Sequence, residues 1–108
     1  MKKLVYSPKY KLKLNEIKKY LDFHFSKEIR KRVLKEITDQ IHELLDFPEM
    51  GVSIKELYGI ETEYRYIFIA KNYVFYRADS DFIYIVNIYN EREDYMMKLF
   101  GINSLKIS

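Results

Sequence analysis

Residues 64–88 read YRYIFIAKNYVFYRADSDFIYIVNI, and this stretch decides the fold. Aromatic and β-branched residues dominate three segments of it, which predicts strands at Tyr64–Ile69, Tyr73–Tyr76 and Phe82–Ile88. The connections Ala70–Asn72 and Arg77–Asp81 are short enough for hairpins. Apolar residues fall on both faces of the longer strands. We therefore expect helices to cover one side of the sheet and aromatic side chains to line the other.

The residues before this stretch predict one strand and two helices. Lys2–Tyr6 is a short extended segment, and the Ser7-Pro8 pair after it is typical of a helix N-cap followed by the first helical position. A helical apolar face follows at Tyr10, Leu14, Ile17 and Leu21. Ser26 is expected to open a second helix with apolar positions at Ile29, Val33, Ile37, Ile41 and Leu44. Two such helices with a short joint form an antiparallel hairpin.

The segments around the strands predict a turn and a final helix. Pro48 ends the helical pattern, and Gly51 marks a turn before the strands. After the strands, Asn90 and Glu93 have the spacing of a capping box, so a short helix is expected to follow and to end near Gly101. The order is therefore β-α-α-β-β-β-α, which is an α+β fold. The length of 108 residues fits a single domain over residues 1–108.

Composition excludes several classes of protein. Hydrophobic residues make up 48% of the chain and charged residues 32%, which is typical of a folded domain. No apolar run approaches the roughly 18–20 residues that cross a bilayer, and Ser7-Pro8 comes too early for the apolar core of a signal peptide. Without cysteine there is no disulfide framework, thiolate nucleophile or zinc ribbon. We expect a soluble cytoplasmic domain with no membrane partner.

Charge is distributed unevenly along the chain. Residues 1–45 carry 12 basic and 6 acidic residues, a net charge of +6, whereas residues 46–108 carry 7 and 10, a net charge of −3. The first half is therefore the better candidate for contact with phosphate or with an acidic partner. The alternative is that these lysines form the solvated faces of the two helices.

The sequence offers little for metal or cofactor chemistry. His24 and His42 are the only histidines, and they lie 18 residues apart on different predicted helices, which is not the spacing of a metal site on one helix. The three glycines are isolated, so no glycine-rich phosphate loop is present. Asp79 and Asp81 flank a serine in a hairpin, where turn formation explains them. We expect no metal and no cofactor.

The remaining reactive groups are arginine, lysine and tyrosine. On or between the predicted strands lie Arg65, Lys71, Tyr73, Tyr76 and Arg77; where the last strand meets the final helix lie Tyr89, Arg92 and Tyr95. A metal-independent RNA-cleaving site needs cations to hold the phosphate, a group to move protons and aromatic rings to stack an unpaired base. Arginine and tyrosine can supply these. The alternative is that the tyrosines only pack the sheet, since strands favour them.

The element order and a set of spaced residues resemble the RelE/ParE superfamily of bacterial type II toxins over nearly the whole chain. The residues concerned are Ser7-Pro8, Pro48-x-x-Gly51, Glu56-Leu57, Arg65, Tyr73-x-x-Tyr76-Arg77, Ile83-x-Ile85-x-x-Ile88 and Arg92-x-Asp94. The resemblance implies an N-terminal helical hairpin packed on a small twisted antiparallel sheet. It also implies a cognate antitoxin whose acidic binding segment wraps the toxin, giving a toxin–antitoxin hetero-oligomer.

The superfamily implies two possible targets. RelE-like members bind the ribosomal A site and cleave mRNA, with the 2′-hydroxyl attacking the adjacent phosphate. ParE-like members inhibit DNA gyrase and cleave no RNA. For the first activity, the resemblance and the residue types assign catalytic roles to Arg65 and Arg92 as phosphate clamps and to Tyr89 and Tyr95 in stacking or proton movement. RNA binding would fall to Lys71, Tyr73 and Arg77.

The sequence departs from the nuclease pattern at two positions. Tyr73 stands where these nucleases often carry an arginine, and Tyr89-Asn90 replaces the histidine that often precedes the arginine matched here by Arg92. The cluster of arginine and tyrosine at the strand–helix junction nevertheless favours single-stranded RNA, so we predict an endoribonuclease that inhibits translation by ribosome-dependent mRNA cleavage. Gyrase inhibition and an antitoxin-binding module without target activity are the alternatives.

Overall fold

A computed structural model describes residues 2–101 and contains a five-stranded sheet with helices on both faces. The strands are β1 (Lys3–Tyr6), β2 (Val52–Ser53), β3 (Arg65–Ile69), β4 (Asn72–Ala78) and β5 (Phe82–Asn90). The helices are α1 (Pro8–His24), α2 (Lys27–Glu43), α3 (Ile54–Tyr58) and α4 (Tyr95–Phe100). The α+β class and the N-terminal hairpin of α1 and α2 are confirmed, and α3 and β2 are two short additions to the predicted order.

The sheet is mixed rather than wholly antiparallel. Its order is β1-β5-β4-β3-β2, and the pairs from β5 to β2 are antiparallel as expected. The first strand, however, runs parallel to the last, with Lys3 opposite Phe82 and Tyr6 opposite Ile85. Parallel neighbours need a long connection between them. Here the helical hairpin and the three following strands provide it.

The hairpin packs on one face of the sheet around an apolar core. Its helices begin where the sequence predicted, since the N–H of Tyr10 donates to Ser7 Oγ at 3.0 Å and that of Ile29 to Ser26 Oγ at 3.3 Å. The buried side chains of this core include Ile37, Ile41, Leu44, Val74, Tyr76, Ile83, Ile85 and Ile88. Burial of one aliphatic side chain of this size contributes about 1.5–3 kcal/mol, so this face supplies most of the apolar stabilisation.

A β-bulge lies at the centre of the sheet. Phe75 pairs with Asn87 and Tyr76 pairs with Ile85, so Val86 of β5 has no partner on β4. The extra residue shifts the alternation of side chains, and Ile85 and Ile88 both reach the hairpin core. Ser7 attaches to the bulge, because its N–H donates to the Ile85 carbonyl at 2.9 Å and its hydroxyl donates to the Val86 carbonyl. The start of α1 is therefore fixed to the middle of β5.

The opposite face of the sheet carries a second, smaller core that α3 and α4 cover. Its buried members are Ile54, Phe75 and Tyr89. The final helix starts four residues later than the predicted Asn90 cap, with Asp94 as its N-cap. Asn90 and Glu93 instead close a turn, in which the Asn90 N–H donates to the Glu93 carboxylate at 2.8 Å. The predicted stop is confirmed, since Gly101 has a left-handed φ of 67°.

Tyr76 fixes the connection between α2 and β3 onto the sheet. Its side chain is fully buried, and its hydroxyl accepts a hydrogen bond from the Gly51 N–H at 3.0 Å while donating to the Pro48 carbonyl at 2.8 Å. Gly51 is needed for this approach, because a Cβ at that position would lie 2.4 Å from the Tyr76 hydroxyl oxygen. The Pro48 and Gly51 turn predicted from the sequence therefore has a specific anchor.

We expect Tyr76→Phe to lower the free energy of unfolding by about 1–3 kcal/mol, because it leaves the Gly51 N–H and the Pro48 carbonyl without their partner. The control is Tyr84→Phe, whose hydroxyl donates to Asp79 at 3.2 Å in an exposed position and should change stability little. Urea unfolding of the two variants measures the difference. Equal stability of the two variants would contradict the anchoring role of the Tyr76 hydroxyl.

Candidate functional site

A cleft lies between the helical hairpin and one end of the sheet. It encloses about 840 Å³. Its apolar side chains include Ile17, Leu21 and Val33 from the hairpin, and its charged ones include Lys71 and Arg92 from the sheet side. Two of the residues predicted to contact RNA therefore border one cavity. The cleft also contains Glu16, Glu36, Glu91 and Glu93, so its cations do not form a purely basic patch.

Hydrogen bonds of the loop after β5 bring Lys71 and Arg92 to the same cleft. Lys71 occupies the β3–β4 turn with a left-handed φ of 66°, and its carbonyl accepts from the Glu91 N–H at 2.8 Å. The Arg92 N–H donates to Asn90 Oδ1 at 3.0 Å, which orders the loop after β5. This turn and this loop thus form one edge of the cleft.

Glu93 joins this loop to two helices. Its Oε1 accepts from Lys13 Nζ of α1 at 2.7 Å and from Lys98 Nζ of α4 at 2.6 Å. Partial burial acts to raise the pKa of Glu93, but the hydrogen bonds from the two lysines and from the Asn90 N–H outweigh it and lower the pKa to about 2. The carboxylate is therefore ionised and committed to structure, and it is not poised to transfer protons near neutral pH.

Arg65 borders a different cavity from Arg92. This second cavity encloses about 280 Å³, and its other lining residues include Lys2, Pro48 and Asp79. The Arg65 guanidinium donates to the Gly51 carbonyl at 2.9 Å, beside the Tyr76 anchor. The two arginines assigned as phosphate clamps are thus placed in separate cavities.

Tyr89 is buried within the smaller core. Only 6% of the residue is exposed. Its ring packs edge-on against that of Phe75, with the centroids 5.9 Å apart, and its hydroxyl accepts a hydrogen bond from Asn87 Nδ2 at 2.9 Å. The ammonium groups of Lys13 and Lys98 lie 5.4 and 5.9 Å from the ring centroid. Burial raises the pKa of Tyr89. The side chain is therefore shielded from any ligand by its own packing.

Tyr95 and Tyr73 belong to a partly exposed cluster on the sheet face opposite the hairpin. We call this cluster the aromatic face; it consists of Tyr58, Tyr66, Phe68, Tyr73 and Tyr95. The centroid of the Tyr73 ring lies 4.8 Å from the ring centroids of both Phe68 and Tyr95, and 5.2 Å from that of Tyr66. The hydroxyls of Tyr58 and Tyr95 are hydrogen-bonded at 2.7 Å. Burial and this hydrogen bond raise the pKa of Tyr95.

Arg77 is held beside the β4–β5 turn. Its guanidinium lies 4.0 Å from the centroid of the Tyr84 ring. In the same turn, the N–H groups of Asp81 and Phe82 both donate to Asp79 Oδ1 at 2.8 Å, and they lower the pKa of Asp79. The aspartates flanking Ser80 thus have the turn-forming role that the sequence suggested for them.

The predicted site residues therefore fall into several groups rather than one. Lys71 and Arg92 share a cleft, and Tyr73 and Tyr95 share the aromatic face; Arg65, Arg77 and Tyr89 have other neighbours. Tyr58, Tyr66 and Phe68 of the aromatic face were not among the site residues predicted from the sequence. The alternation of β3 puts Tyr66 and Phe68 on one side and could have indicated both, whereas Tyr58 depends on the unpredicted α3.

Among residues 2–101, no group of three or more metal-ligating side chains could hold a metal ion. His24 packs beside Tyr20, with ring centroids 4.3 Å apart, and the ring of His42 contacts the Thr38 carbonyl at 2.8 Å. Within the same described part of the chain, no helix is long and apolar enough to span a membrane.

Comparison with protein families identifies the chain. The model of the ParE toxin of the type II toxin-antitoxin system, parDE, matches residues 4–95. The chain belongs to the ParE toxin family. It is thus a toxin of a type II toxin-antitoxin system, and its resemblance to the RelE/ParE superfamily is confirmed.

Comparison with solved structures agrees on the fold. The toxin superimposes on a chain of the chromosomal ParDE TA system from P. aeruginosa with a TM-score of 0.67 and 17% identity, over 83% of this chain and 96% of that one. At this identity the likeness is one of fold alone. No curated protein matches the sequence.

For the toxin we expect Glu93→Gln to lower the free energy of unfolding by about 1–2 kcal/mol at pH 7, since the amide cannot form the two ion pairs. The folded-state pKa of about 2 lies below the usual value of 4.5. The stabilisation by ionised Glu93 is therefore complete above about pH 4.5 and is lost as the pH falls toward 2. Chemical unfolding of the wild type and of Glu93→Gln measures this effect. The difference in their free energies of unfolding should shrink as the pH falls from about 4.5 toward 2.

A matched control is Asp39→Asn, which breaks the exposed pair of Asp39 with Lys35 on α2. We expect it to change stability little at any pH in this range. A Glu93→Gln difference that stays constant between pH 7 and 2 would contradict the ion-pair assignment.

Proposed function

We propose that this toxin inhibits DNA gyrase and cleaves no RNA. Its membership of the ParE family supports this target over the ribosome, because gyrase inhibition is the ParE-like activity within the superfamily. The arginine–tyrosine cluster in the sequence favoured ribosome-dependent mRNA cleavage. The arrangement of that cluster in space now favours the alternative.

The separation of Arg65 from Arg92 is the observation that carries the proposal. Cleavage through a 2′-hydroxyl requires cations and a proton-transfer group around a single phosphate. The two arginines border different cavities, and Arg65 is already bonded to the Gly51 carbonyl. A phosphate bound by one of these arginines would have no contact with the other.

The environments of the Tyr89 and Tyr95 hydroxyls also argue against RNA cleavage. Efficient general acid–base groups have a pKa near the working pH. Burial raises the pKa of Tyr89, and burial with the Tyr58 hydrogen bond raises that of Tyr95. Both hydroxyls have protein partners, Asn87 for the first and Tyr58 for the second. Neither tyrosine is tuned to move a proton at neutral pH.

The proposal includes a cognate antitoxin with an acidic binding segment, forming a hetero-oligomer with the toxin. The net charge of +6 over residues 1–45 supports a partner of this charge. Exposed basic residues on α2 include Lys27, Lys31, Arg32 and Lys35. Binding of a flexible acidic segment along such a helix would combine folding with charge neutralisation.

We expect the purified toxin to inhibit DNA supercoiling by gyrase at micromolar concentration, while mRNA on stalled ribosomes stays intact. A supercoiling assay and primer extension on the ribosome-bound message measure the two activities side by side. Unaffected gyrase would overturn the proposed target. Ribosome-dependent cuts in the message would restore the nuclease hypothesis.

We expect Tyr89→Phe to arrest bacterial growth as strongly as the wild type, because the ring remains packed and the lost hydroxyl only accepts from Asn87. If Tyr89 were a proton-transfer residue, the same change would reduce activity by about 10²–10⁴-fold. Growth after induction without antitoxin, compared at equal protein level, distinguishes these outcomes. A large loss of toxicity in a stably folded variant would contradict the non-enzymatic mechanism.

A further inference from the structure

The aromatic face is an ordered apolar surface that the described part of the chain leaves partly open. Phe68 is 50% exposed and Tyr58 is 40% exposed. On the adjoining short helices, Leu57 and Met97 are 50% and 45% exposed. Aromatic and methionine side chains are enriched where proteins bind one another, and an open cluster of them marks an interaction surface.

We propose that the aromatic face is the surface through which the toxin binds gyrase, with a cationic protein surface of that enzyme as its counterpart. This inference rests on the proposed function and adds the contact region. It assigns the target to the sheet face opposite the hairpin. The basic hairpin then remains available to the acidic antitoxin.

Charge selects the kind of partner. Exposed acidic residues adjoin the face in sequence at Glu56 of α3 and at Glu61 and Glu63 of the following loop. Lys55, the basic residue of α3, pairs with Glu61 at 3.3 Å, so Glu56 and Glu63 leave this segment with a net negative charge. A DNA-binding enzyme carries cationic surfaces, and an acidic surround complements them. The same surround repels nucleic acid and an acidic antitoxin segment, so it disfavours both on this face.

The face is also pre-organised for binding. Tyr73 contacts rings on both sides, and the hydrogen bond between Tyr58 and Tyr95 joins α3 to α4 across 37 residues of sequence. Phe75 is fully buried, and its ring centroid lies 5.1 Å from that of Tyr95, so it packs against the buried side of the aromatic face. Aromatic side chains already held in place lose little conformational entropy on binding, which favours their use as energetic centres of an interface.

The test compares three single variants of the full chain in a gyrase supercoiling assay and in direct binding to purified gyrase. Phe68→Ala removes the most exposed ring of the face, and Glu56→Lys reverses one adjoining charge without changing any ring. The control, Phe23→Ala, removes a ring that is 85% exposed in the last turns of α1, away from the aromatic face. Circular dichroism and the thermal midpoint establish that each variant is folded.

We expect Phe68→Ala to raise the concentration for half-inhibition by about tenfold or more, as loss of an interface centre does. Glu56→Lys should raise it about three- to tenfold at low salt, with the gap narrowing at high salt because the attraction is screened. Phe23→Ala should inhibit like the wild type.

Each outcome has a separate meaning. If the wild type inhibits gyrase and Phe68→Ala and Glu56→Lys inhibit equally well, the assignment of the aromatic face is overturned while the proposed function stands. If the wild type has no effect on gyrase, the proposed function fails and the identity of the partner fails with it. Self-association that Phe68→Ala abolishes, without a change in gyrase inhibition, would assign the face to a second copy of the chain and overturn the proposal.

Discussion

The bulge at Val86 determines how the sheet serves two apolar faces at once. Strands with a strict alternation would place Ile85 and Ile88 on opposite sides, and one of them would leave the hairpin core. With one extra residue in β5, both remain in that core, while Tyr89 reaches the smaller core beneath α4. Ser7 bonds to the bulge and to Tyr10, so the same point also sets where α1 begins. The position of the hairpin, and of the cleft beside it, follows.

The two faces differ in chemistry as well as in packing. The hairpin side is basic and carries the large cleft, whereas the aromatic face lies in the half of the chain with a net charge of −3. Under the proposed function, surfaces of different charge would let the toxin bind its antitoxin and its target at separate places. The scattered positions of Arg65, Arg77 and Arg92 fit this division better than they fit a single catalytic centre.

Local sequence predicted what depends on local physics. The strands from Arg65 to Asn90 follow from aromatic and β-branched composition, and the starts of α1 and α2 follow from serine caps. The parallel pairing of β1 with β5 was not predictable, because it joins residues almost eighty positions apart. Asn90 and Asp94 are both good caps, and contacts of Glu93 with Lys13 and Lys98 decide between them. For the site, the sequence supplied residue types. It could not show that Arg65 bonds to the Gly51 carbonyl and lines a different cavity from Arg92.

The Tyr76 hydroxyl has one more consequence, for the entropy of the chain. The connection from α2 to β3 is about 20 residues long, and the cost of closing such a loop rises only with the logarithm of its length. By holding Pro48 and Gly51 against β4, the Tyr76 phenol divides this connection into shorter segments. In secreted domains a disulfide often has this role. In a chain without cysteine, a buried tyrosine cross-links the same kind of segment through hydrogen bonds, and the link is indifferent to redox conditions.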